Sequence, residues 1–410
     1  MHIAIIGAGA AGCFCAIELA QRLPHAVISV YERAGKPLAK VAVTGGGRCN
    51  LTNTFEGVRS MESAYPRGAR LMKRLLREFS HDDVCRWFEQ AGVRLVAQED
   101  HCVFPVSQDA MEIVHTLTRL MRQHGVRLFT HARVTRIAHA DDGTYSIGMA
   151  DGSTVQAQCV VVTTGGSPKL SGLDMLQPLS LEVVPPAPSL FSLCLPNHPL
   201  CQLMGTVVDE VTASIPGTKF RASGPLLLTH WGLSGPAILR LSSYAARYLQ
   251  ECDYQSRLAL NWFGDASEAE VLALLQDLWQ RHPQKQLQSV YPPCLNSRLW
   301  HCLLELCQQR PAARWSELHP KHLVRLSAML SHHVLSVSGK NRFKEEFVTC
   351  GGVALSNVAP STLESRRHAG LYFAGEVLDV DAVTGGFNLQ AAWTMGYVVA
   401  KSIAAARLLP

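Results

Sequence analysis

The chain lacks the features that mark nucleic-acid-binding and disulfide-linked proteins. Only 17% of its 410 residues are charged, and the net charge of +5 is small and spread along the sequence, whereas nucleic-acid binding usually requires a clustered basic face. The basic residues around Lys73 and Arg74 fit the solvated face of a helix over 70–79. None of the 13 cysteines belongs to a C-x-x-C pair, which predicts reduced and buried cysteines. We therefore expect no nucleic-acid partner and no redox disulfide.

Patterns for metal ligands and for membrane insertion are missing as well. The 17 histidines include His319-x-x-His322 and His332-His333, but no Cys, Asp or Glu pattern surrounds them, so no metal site is predicted. The apolar stretch 3–20 has no basic leader and is interrupted by glycines, which argues against a signal peptide or a membrane span. The expected protein is cytoplasmic and has no membrane partner.

The first 32 residues contain a strand–turn–helix–strand pattern. A short apolar run leads into Gly7-x-Gly9-x-x-Gly12, and a second strand-like run ends at Glu32. Gly7 permits the tight turn, Gly9 lets backbone N–H groups approach a pyrophosphate, and Gly12 lets the helix pack closely on the sheet. The helix N-terminus adds partial positive charge, and Glu32 is placed to hold ribose hydroxyls. The pattern predicts a bound adenine dinucleotide.

The segment after Glu32 favours a flavin over a nicotinamide as the other half of that dinucleotide. A nicotinamide-binding domain would continue as another short β-α-β unit, but this chain runs into Gly45-Gly46-Gly47-Arg48-Cys49-Asn50. Three consecutive glycines suit a loop that a bulky planar ligand approaches closely. Arg48 could pair with a phosphate, and Asn50 could hydrogen-bond a ring edge. The alternative is a surface loop with a chance arginine.

A second site-like segment lies near the C-terminus. A strand-like run ends at Gly375-Glu376, and two further glycines precede a helix predicted from about Gln390 to Ala405. Glu376 is placed to accept hydrogen bonds from a polyol such as ribityl, and the helix N-terminus would direct N–H groups and partial positive charge at a ligand. Asp379 and Asp381 either stiffen this segment or face the substrate. Standing alone, the segment would be an ordinary strand–turn–helix.

Taken together, these segments resemble the HI0933-like flavoproteins. The resemblance follows the whole chain in order, through residues 7–12, Lys40 with 44–53, 229–236 and 375–390. It departs from the family pattern at Thr44, which is often serine, and at Ala382, which is often glycine. The family includes aminoacetone oxidases and steroid-type flavin reductases, so the resemblance implies FAD more firmly than it implies one reaction.

The resemblance also extends the set of expected FAD contacts. It implies that the glycine pair after the strand predicted over 154–162 lies by the adenosine half, and that Val134 lies near the adenine. The residues predicted to bind the cofactor are Gly7, Gly9, Ala11, Gly12, Glu32, Arg33, Lys40, Gly46, Gly47, Arg48, Cys49, Asn50, Val134, Thr164, Gly165, Gly375, Glu376, Gly386, Asn388, Leu389 and Gln390.

The predicted fold class is α/β, with a Rossmann-like FAD-binding domain split between the two ends of the chain. A β-barrel-like domain and a helical subdomain are inserted between these ends, and the proline-rich stretch 185–188 fits a crossing between domains. Within the insertion, residues 219–222 and 225–228 read as two separate short strands. The predicted boundaries are 1–186 and 348–410 for the FAD-binding domain, 187–264 and 332–347 for the β-rich domain, and 265–331 for the helical subdomain.

These features predict an FAD-dependent oxidoreductase that transfers hydride through flavin N5. The expected donor is NAD(P)H or a small amine, and the expected acceptor is an enone-like molecule or O₂. Because the chain has one phosphate-cradling fingerprint, NAD(P)H would bind only transiently. Two other functions stay open: a flavin-binding sensor or scaffold with negligible turnover, and a tRNA-modifying flavoprotein, which would require a basic RNA-binding face.

No catalytic side chain is assigned from the sequence. Cys49 and His230 are candidates; otherwise Cys49 is a buried packing residue and His230 a structural histidine. Arg342 and Lys344 either bind an acidic substrate or belong to a charged surface loop. The expected partner is a small-molecule substrate, and the sequence does not predict an oligomeric state.

Overall fold

The computed structural model describes residues 1–140, 142–340 and 348–408. These residues form two units, one made of Met1–Ser189 with 348–408 and the other of residues 190–340. The predicted division of the inserted part into a β-rich domain and a helical subdomain stays a prediction.

The strands of the first unit come from both ends of the chain, and those of the second unit lie between them. In chain order they are β1 (His2–Ile6), β2 (Val27–Tyr31), β3 (Thr52–Asn53), β4 (Leu95–Ala97), β5 (Cys102–Pro105), β6 (Arg127–Phe129), β7 (Val134–His139), β8 (Tyr145–Met149), β9 (Thr154–Ala157), β10 (Cys159–Val162) and β11 (Val183–Ser189); then β12 (Leu193–Cys194), β13 (Val207–Ser214), β14 (Arg221–Thr229), β15 (Gly232–Ser234), β16 (Ser256–Asn261), β17 (His333–Val337) and β18 (Gly339–Lys340); and finally β19 (Val348–Val353) and β20 (Leu371–Phe373).

The α-helices are distributed over both units. They are α1 (Ala10–Arg22), α2 (Ala39–Gly47), α3 (Met61–Ala64), α4 (Ala69–Leu75), α5 (His81–Gln90), α6 (Ala110–Gln123), α7 (Pro236–Tyr244), α8 (Ala246–Glu251), α9 (Glu268–Arg281), α10 (Ser297–Leu306), α11 (Pro320–Ser331) and α12 (Phe387–Leu408). The helical backbone of α2 stops before Thr44, because Thr44 is extended and Gly45 and Gly46 are left-handed. Across the described ranges, no helix is both long and apolar enough to cross a bilayer.

A parallel five-stranded sheet forms the centre of the first unit, which confirms the predicted Rossmann-like fold. Its order is β20-β10-β1-β2-β6, so the last strand of the chain pairs beside strands from the N-terminal part. The apolar residues of β1 and β10 are almost completely buried, as parallel strands usually are. Helix α12 returns to α1, where a Cβ on Gly396 would lie 2.9 Å from the Ala11 carbonyl oxygen. The two ends of the chain are therefore packed into one unit.

The strand predicted over 154–162 is two strands in two different sheets. β9 belongs to an antiparallel meander, β7-β8-β9, whereas β10 joins the parallel sheet. Gln158 lies between them, and its backbone N–H donates to the His2 carbonyl at 3.0 Å. The residues on both sides are equally strand-like, so the sequence carries no mark of the change of sheet.

The second unit is built on a seven-stranded sheet of linear order β17-β16-β13-β14-β15-β12-β18. The two strands predicted at 219–222 and 225–228 are one strand, β14, although it contains Gly224-Pro225. Its pairing to β13 shifts register between Val208 and Val211, and Pro225 lies at this bulge, where a missing N–H is tolerated. The core of this unit includes the buried indoles of Trp262, Trp300 and Trp315.

Candidate cofactor site

The glycines of the first turn divide into two that pack and one that faces open space. A Cβ on Gly7 would lie 2.6 Å from the Thr163 carbonyl oxygen, and one on Gly12 would lie 2.1 Å from the Gly7 carbonyl oxygen. Both positions therefore need glycine for the close approach of turn, helix and strand. A Cβ on Gly9 would meet nothing within 4 Å, and Gly9 is the N-cap of α1. The free space lies where an anion would meet the N-terminus of α1.

Glu32 lies against this turn, at the end of β2. Its two carboxylate oxygens accept from the backbone N–H groups of Ala8 at 2.9 Å and Ala34 at 2.8 Å. Glu32 lies near the glycine-rich turn because β1 and β2 are neighbouring parallel strands that end at the same edge of the sheet. The two hydrogen bonds then fix the orientation of its carboxylate. The neighbouring residue, Arg33, is exposed. Their contacts with a ribose stay a prediction.

Thr164 and Gly165 follow β10 at the same edge of the sheet. The Thr164 hydroxyl oxygen is buried and has no hydrogen-bond partner among the described residues. Gly165 has a φ of +71°, and a Cβ there would meet nothing within 4 Å. A buried hydroxyl without a partner is costly unless something else satisfies it. The pair therefore offers a hydrogen-bonding group beside free space, as a ligand site requires.

The glycine-rich loop that follows the helical part of α2 has a left-handed backbone at Gly45, Gly46 and Gly47. A Cβ on Gly46 or Gly47 would meet nothing within 4 Å, so this part of the loop also borders free space. The Arg48 guanidinium lies over the Phe104 ring at 4.5 Å, and its Nε donates to the Gly45 carbonyl at 3.1 Å. Arg48 is exposed and close to the open glycines.

Cys49 is the one thiol of this loop. Its side chain is fully buried, and burial raises the pKa of the thiol to about 12. A thiol with this pKa is not a thiolate near neutral pH. The second candidate, His230, lies in the other unit, where its exposed ring packs edge-on against Trp231 at 4.3 Å. Arg342 and Lys344 lie outside the described residues.

The two distant glycine-rich segments meet in space. A Cβ on Gly386 would lie 2.3 Å from the Thr52 carbonyl oxygen, and the Asn53 side chain donates to the Gly385 carbonyl at 3.0 Å. In the orientation that satisfies both ends of its amide, Asn50 accepts from the Gly386 N–H at 3.1 Å and donates to the Thr52 carbonyl at 3.0 Å. Asn50 thus holds the two segments together, and its predicted hydrogen bond to a ring edge stays a prediction.

The polar side chains at the start of α12 also make contacts within the protein. Asn388 accepts from the Ala382 N–H at 3.0 Å and donates to the Ala382 carbonyl at 2.9 Å. Gln390 is fully buried and hydrogen-bonds Thr52 and Thr394. These side chains support the segment, and the backbone N–H groups of the first turn of α12 have no intrahelical acceptor. Leu389 is half-buried.

Glu376 connects several predicted positions. Its carboxylate accepts from the Thr349 N–H at 2.7 Å and lies 3.4 Å from the Lys40 ammonium. A Cβ on Gly166 would lie 2.4 Å from the same carboxylate. Gly375 has a φ of +79° and lies against Ala11 of α1. Val134 is nearly buried at the start of β7.

These residues fit an adenine dinucleotide. Glycines that border free space, an unsatisfied buried hydroxyl and two helix N-termini belong to one unit, and together they supply the backbone N–H groups and close approach that such a ligand uses. Within the described ranges, no three His, Cys, Asp or Glu side chains group as metal ligands.

Sequence reasoning missed a buried cluster beside this segment. Arg67 pairs with Asp381, and both contact Ser189. The acidic partner lies in a motif that the sequence singled out, but nothing in the sequence connects it to Arg67, 314 residues away.

Known proteins match the chain over its length. Residues 1–402 match the family described as HI0933-like protein Rossmann domain. The chain is 28% identical over 411 residues to the 3-dehydro-bile acid delta(4,6)-reductase of Clostridium scindens, covering 98% of this chain and 99% of that protein. It is 30% identical over 413 residues to the ribosomal RNA dihydrouridine synthase of Escherichia coli, covering 98% of each.

A solved structure supports the fold alone. The 3-ketosteroid-delta4-(5alpha)-dehydrogenase of Rhodococcus jostii RHA1 superposes with a TM-score of 0.51 at 15% identity, over 98% of this chain and 96% of that chain.

Proposed function

The chain belongs to the HI0933-like family and is an FAD-dependent oxidoreductase, and from this premise we propose that it reduces a carbon–carbon double bond conjugated to a carbonyl group. The observation that carries the proposal is the chemistry common to two relatives that match from end to end. A delta(4,6)-reductase of a 3-oxo steroid and a synthase of dihydrouridine have different substrates. Both saturate an alkene that is polarised by a carbonyl.

Bound FAD would supply the hydride, from N5 of its reduced form, to the β-carbon of such an acceptor. A proton then completes the α-carbon, so two hydrogens are added in all. In this proposal the protein holds and orients the cofactor: FAD would lie along the open glycines Gly9 and Gly46, and Glu32, beside the glycine-rich turn, would hold its ribose. Cys49 is not assigned to proton transfer, because its thiol is buried with a pKa of about 12.

The proposed reductant is NAD(P)H, which would supply the hydride to bound FAD and leave before the acceptor binds. The only G-x-G-x-x-G of the sequence is the one at Gly7–Gly12, and we assign it to FAD. Glu32 beside this turn would repel the 2′-phosphate of NADP(H), so NADP(H) would not occupy it. Reoxidation by O₂ is the competing half-reaction.

A second candidate function is the reduction of a uracil base within RNA. It is favoured by the name of the Escherichia coli relative and by helix α4, on which Arg70, Lys73, Arg74 and the following Arg77 are all exposed. This basic helix begins after Gly68, where a Cβ would lie 2.5 Å from Val380 of the glycine-rich C-terminal segment. Glu62 and Glu78 lie close enough to offset part of the charge. The absence of a nucleic-acid partner, expected from composition, is the opposing prediction.

One anaerobic experiment separates these functions. Protein reduced with NADPH or NADH is mixed with a 3-oxo-4-ene steroid or with ribosomal RNA transcript, and flavin absorbance and product mass are recorded. Reoxidation with a gain of two hydrogens on the steroid supports the small-molecule reductase, and the same gain on RNA supports the second candidate. Reduced flavin that neither acceptor reoxidises, and that is reoxidised only after air is admitted, would refute both reductase functions. Failure of every donor to reduce the flavin would favour a sensor.

A further inference from the structure

A buried ion pair lies behind the C-terminal glycine-rich segment. The Arg67 guanidinium contacts both carboxylate oxygens of Asp381 through Nε and Nη2, and the Arg67 side chain is 18% exposed while that of Asp381 is fully buried. Ser189 donates to Asp381 at 2.7 Å and accepts from Arg67 Nη2 at 3.1 Å. Arg67 and Asp381 also pair through their backbones in an isolated antiparallel bridge. The three side chains are thus joined to one another by hydrogen bonds.

The cluster fixes the first residue of the short segment 381–386, which leads to the N-terminus of α12. After Asp381, Ala382 is held by the Asn388 side chain, and the Val383 N–H donates to the Ala64 carbonyl at 2.9 Å. The segment then reaches Gly385 and Gly386, which lie against the loop around Asn50 and Thr52. A displacement of Asp381 would therefore move the residues from which α12 begins.

The chemistry of the cluster suits the positioning of a segment better than the stabilisation of the fold. Replacing a buried ion pair by apolar residues of similar volume is often neutral or stabilising for the fold, so stability alone does not require these charges. A planar guanidinium that contacts both oxygens of a carboxylate fixes the distance and the orientation of the two groups, which a lysine cannot do.

We propose that Arg67 is a positioning residue for the flavin, and that it acts through Asp381 by fixing the segment that leads into α12. Asp381 then stiffens the cofactor segment, which selects between the two roles left open by the sequence. Arg67 itself is not assigned a contact with the cofactor. The inference rests on the flavin site and not on the proposed acceptor, so its test requires no substrate.

The test compares FAD affinity and flavin reduction potential in Arg67→Lys and in the native protein. Residues that orient metal ligands typically change metal affinity or activity by about 10- to 100-fold when mutated, and we take the lower end of this range for a residue that orients a cofactor segment. We expect Arg67→Lys to retain the native circular dichroism spectrum and to weaken FAD binding at least about tenfold, with a shifted reduction potential. Native affinity together with a native potential would overturn the proposal.

Two further variants separate positioning from folding. The double variant Arg67→Met/Asp381→Leu removes both buried charges, so we expect it to fold. Its FAD binding should nevertheless be weaker than native and its reduction potential shifted. Native values of both would show that the pair is only structural. Arg22→Lys is the matched control, because Arg22 pairs at 2.9 Å with the buried carboxylate of Glu18 in the same unit. An equal loss of FAD affinity in this control would also overturn the proposal, since the effect would then be one of general packing.

Discussion

Two glycines of the first turn should respond to alanine in opposite ways. A Cβ on Gly9 meets nothing within 4 Å, and the Gly9 backbone, at φ −85° and ψ −168°, is extended and open to alanine. Gly9→Ala should therefore leave the free energy of unfolding of the apoprotein unchanged or raise it by about 0.4–1 kcal/mol, because alanine lowers the entropy of the unfolded chain. Gly12→Ala instead places a Cβ 2.1 Å from a backbone oxygen, and such overpacking costs about 1–3 kcal/mol or more.

Gly9→Ala should weaken FAD binding, although it should not destabilise the apoprotein. If the pyrophosphate approaches this backbone, the added methyl group overpacks the ligand instead of the protein. A cost of about 1–3 kcal/mol raises the dissociation constant roughly 5- to 150-fold. The holoprotein would then lose up to about 1–3 kcal/mol of the stabilisation that bound FAD provides, although the apoprotein is not destabilised.

The assay combines urea unfolding of the apoproteins with FAD titration by fluorescence quenching. Gly339→Ala is the control, since a Cβ there also meets nothing within 4 Å and its φ is not left-handed; it should leave FAD affinity unchanged. If Gly9→Ala binds FAD with the native dissociation constant, the cofactor does not approach this turn and the assignment of the fingerprint is wrong.

Four other predictions follow from single features. Glu32→Ala should weaken FAD binding by about 1.5–3 kcal/mol through loss of a charged acceptor, and an unchanged dissociation constant would place the adenosine elsewhere. Cys49→Ala should keep turnover near native, since burial holds the thiol pKa at about 12; loss of turnover with native FAD content would restore Cys49 as a catalytic candidate. Burial, with a smaller effect of His198, lowers the pKa of His333 to about 4. The unfolded chain therefore binds more protons as the pH falls from about 6.5 to 4, and the free energy of unfolding should decrease by at most about 3 kcal/mol across this window; urea unfolding that is equally pH-dependent in His333→Gln would exclude this cause. Steady-state kinetics with NAD(P)H and an acceptor should give parallel double-reciprocal lines, and intersecting lines with tightly bound nicotinamide would require a second dinucleotide site.

The conformation of the first turn could be predicted from the sequence, because it depends on local requirements of the backbone. Gly7 and Gly12 leave no room for a side chain, and the apolar run of β1 is buried in the parallel sheet, so spacing and composition carried the information directly. The change of sheet at Gln158 and the bulge at Pro225 could not be read in this way. Both depend on which distant strand is available for pairing, and the residues themselves are compatible with either arrangement.

The contact between the two glycine-rich segments is the feature of the site that could not be predicted from the sequence. Each segment was identified separately by its glycines, but their contact through Asn50, Thr52 and Gly386 depends on β20 pairing with β10 and on α12 returning to α1. Polar side chains in such segments can serve a ligand or serve each other, and their identity does not distinguish the two. Asn50 and Asn388 have their amides engaged by the backbone, which leaves the glycine backbone and the Thr164 hydroxyl as the groups most available to the cofactor. Substitutions that add a Cβ at the open glycines should therefore affect FAD binding directly, whereas substitutions of these two asparagines should act through the conformation of the segments they hold.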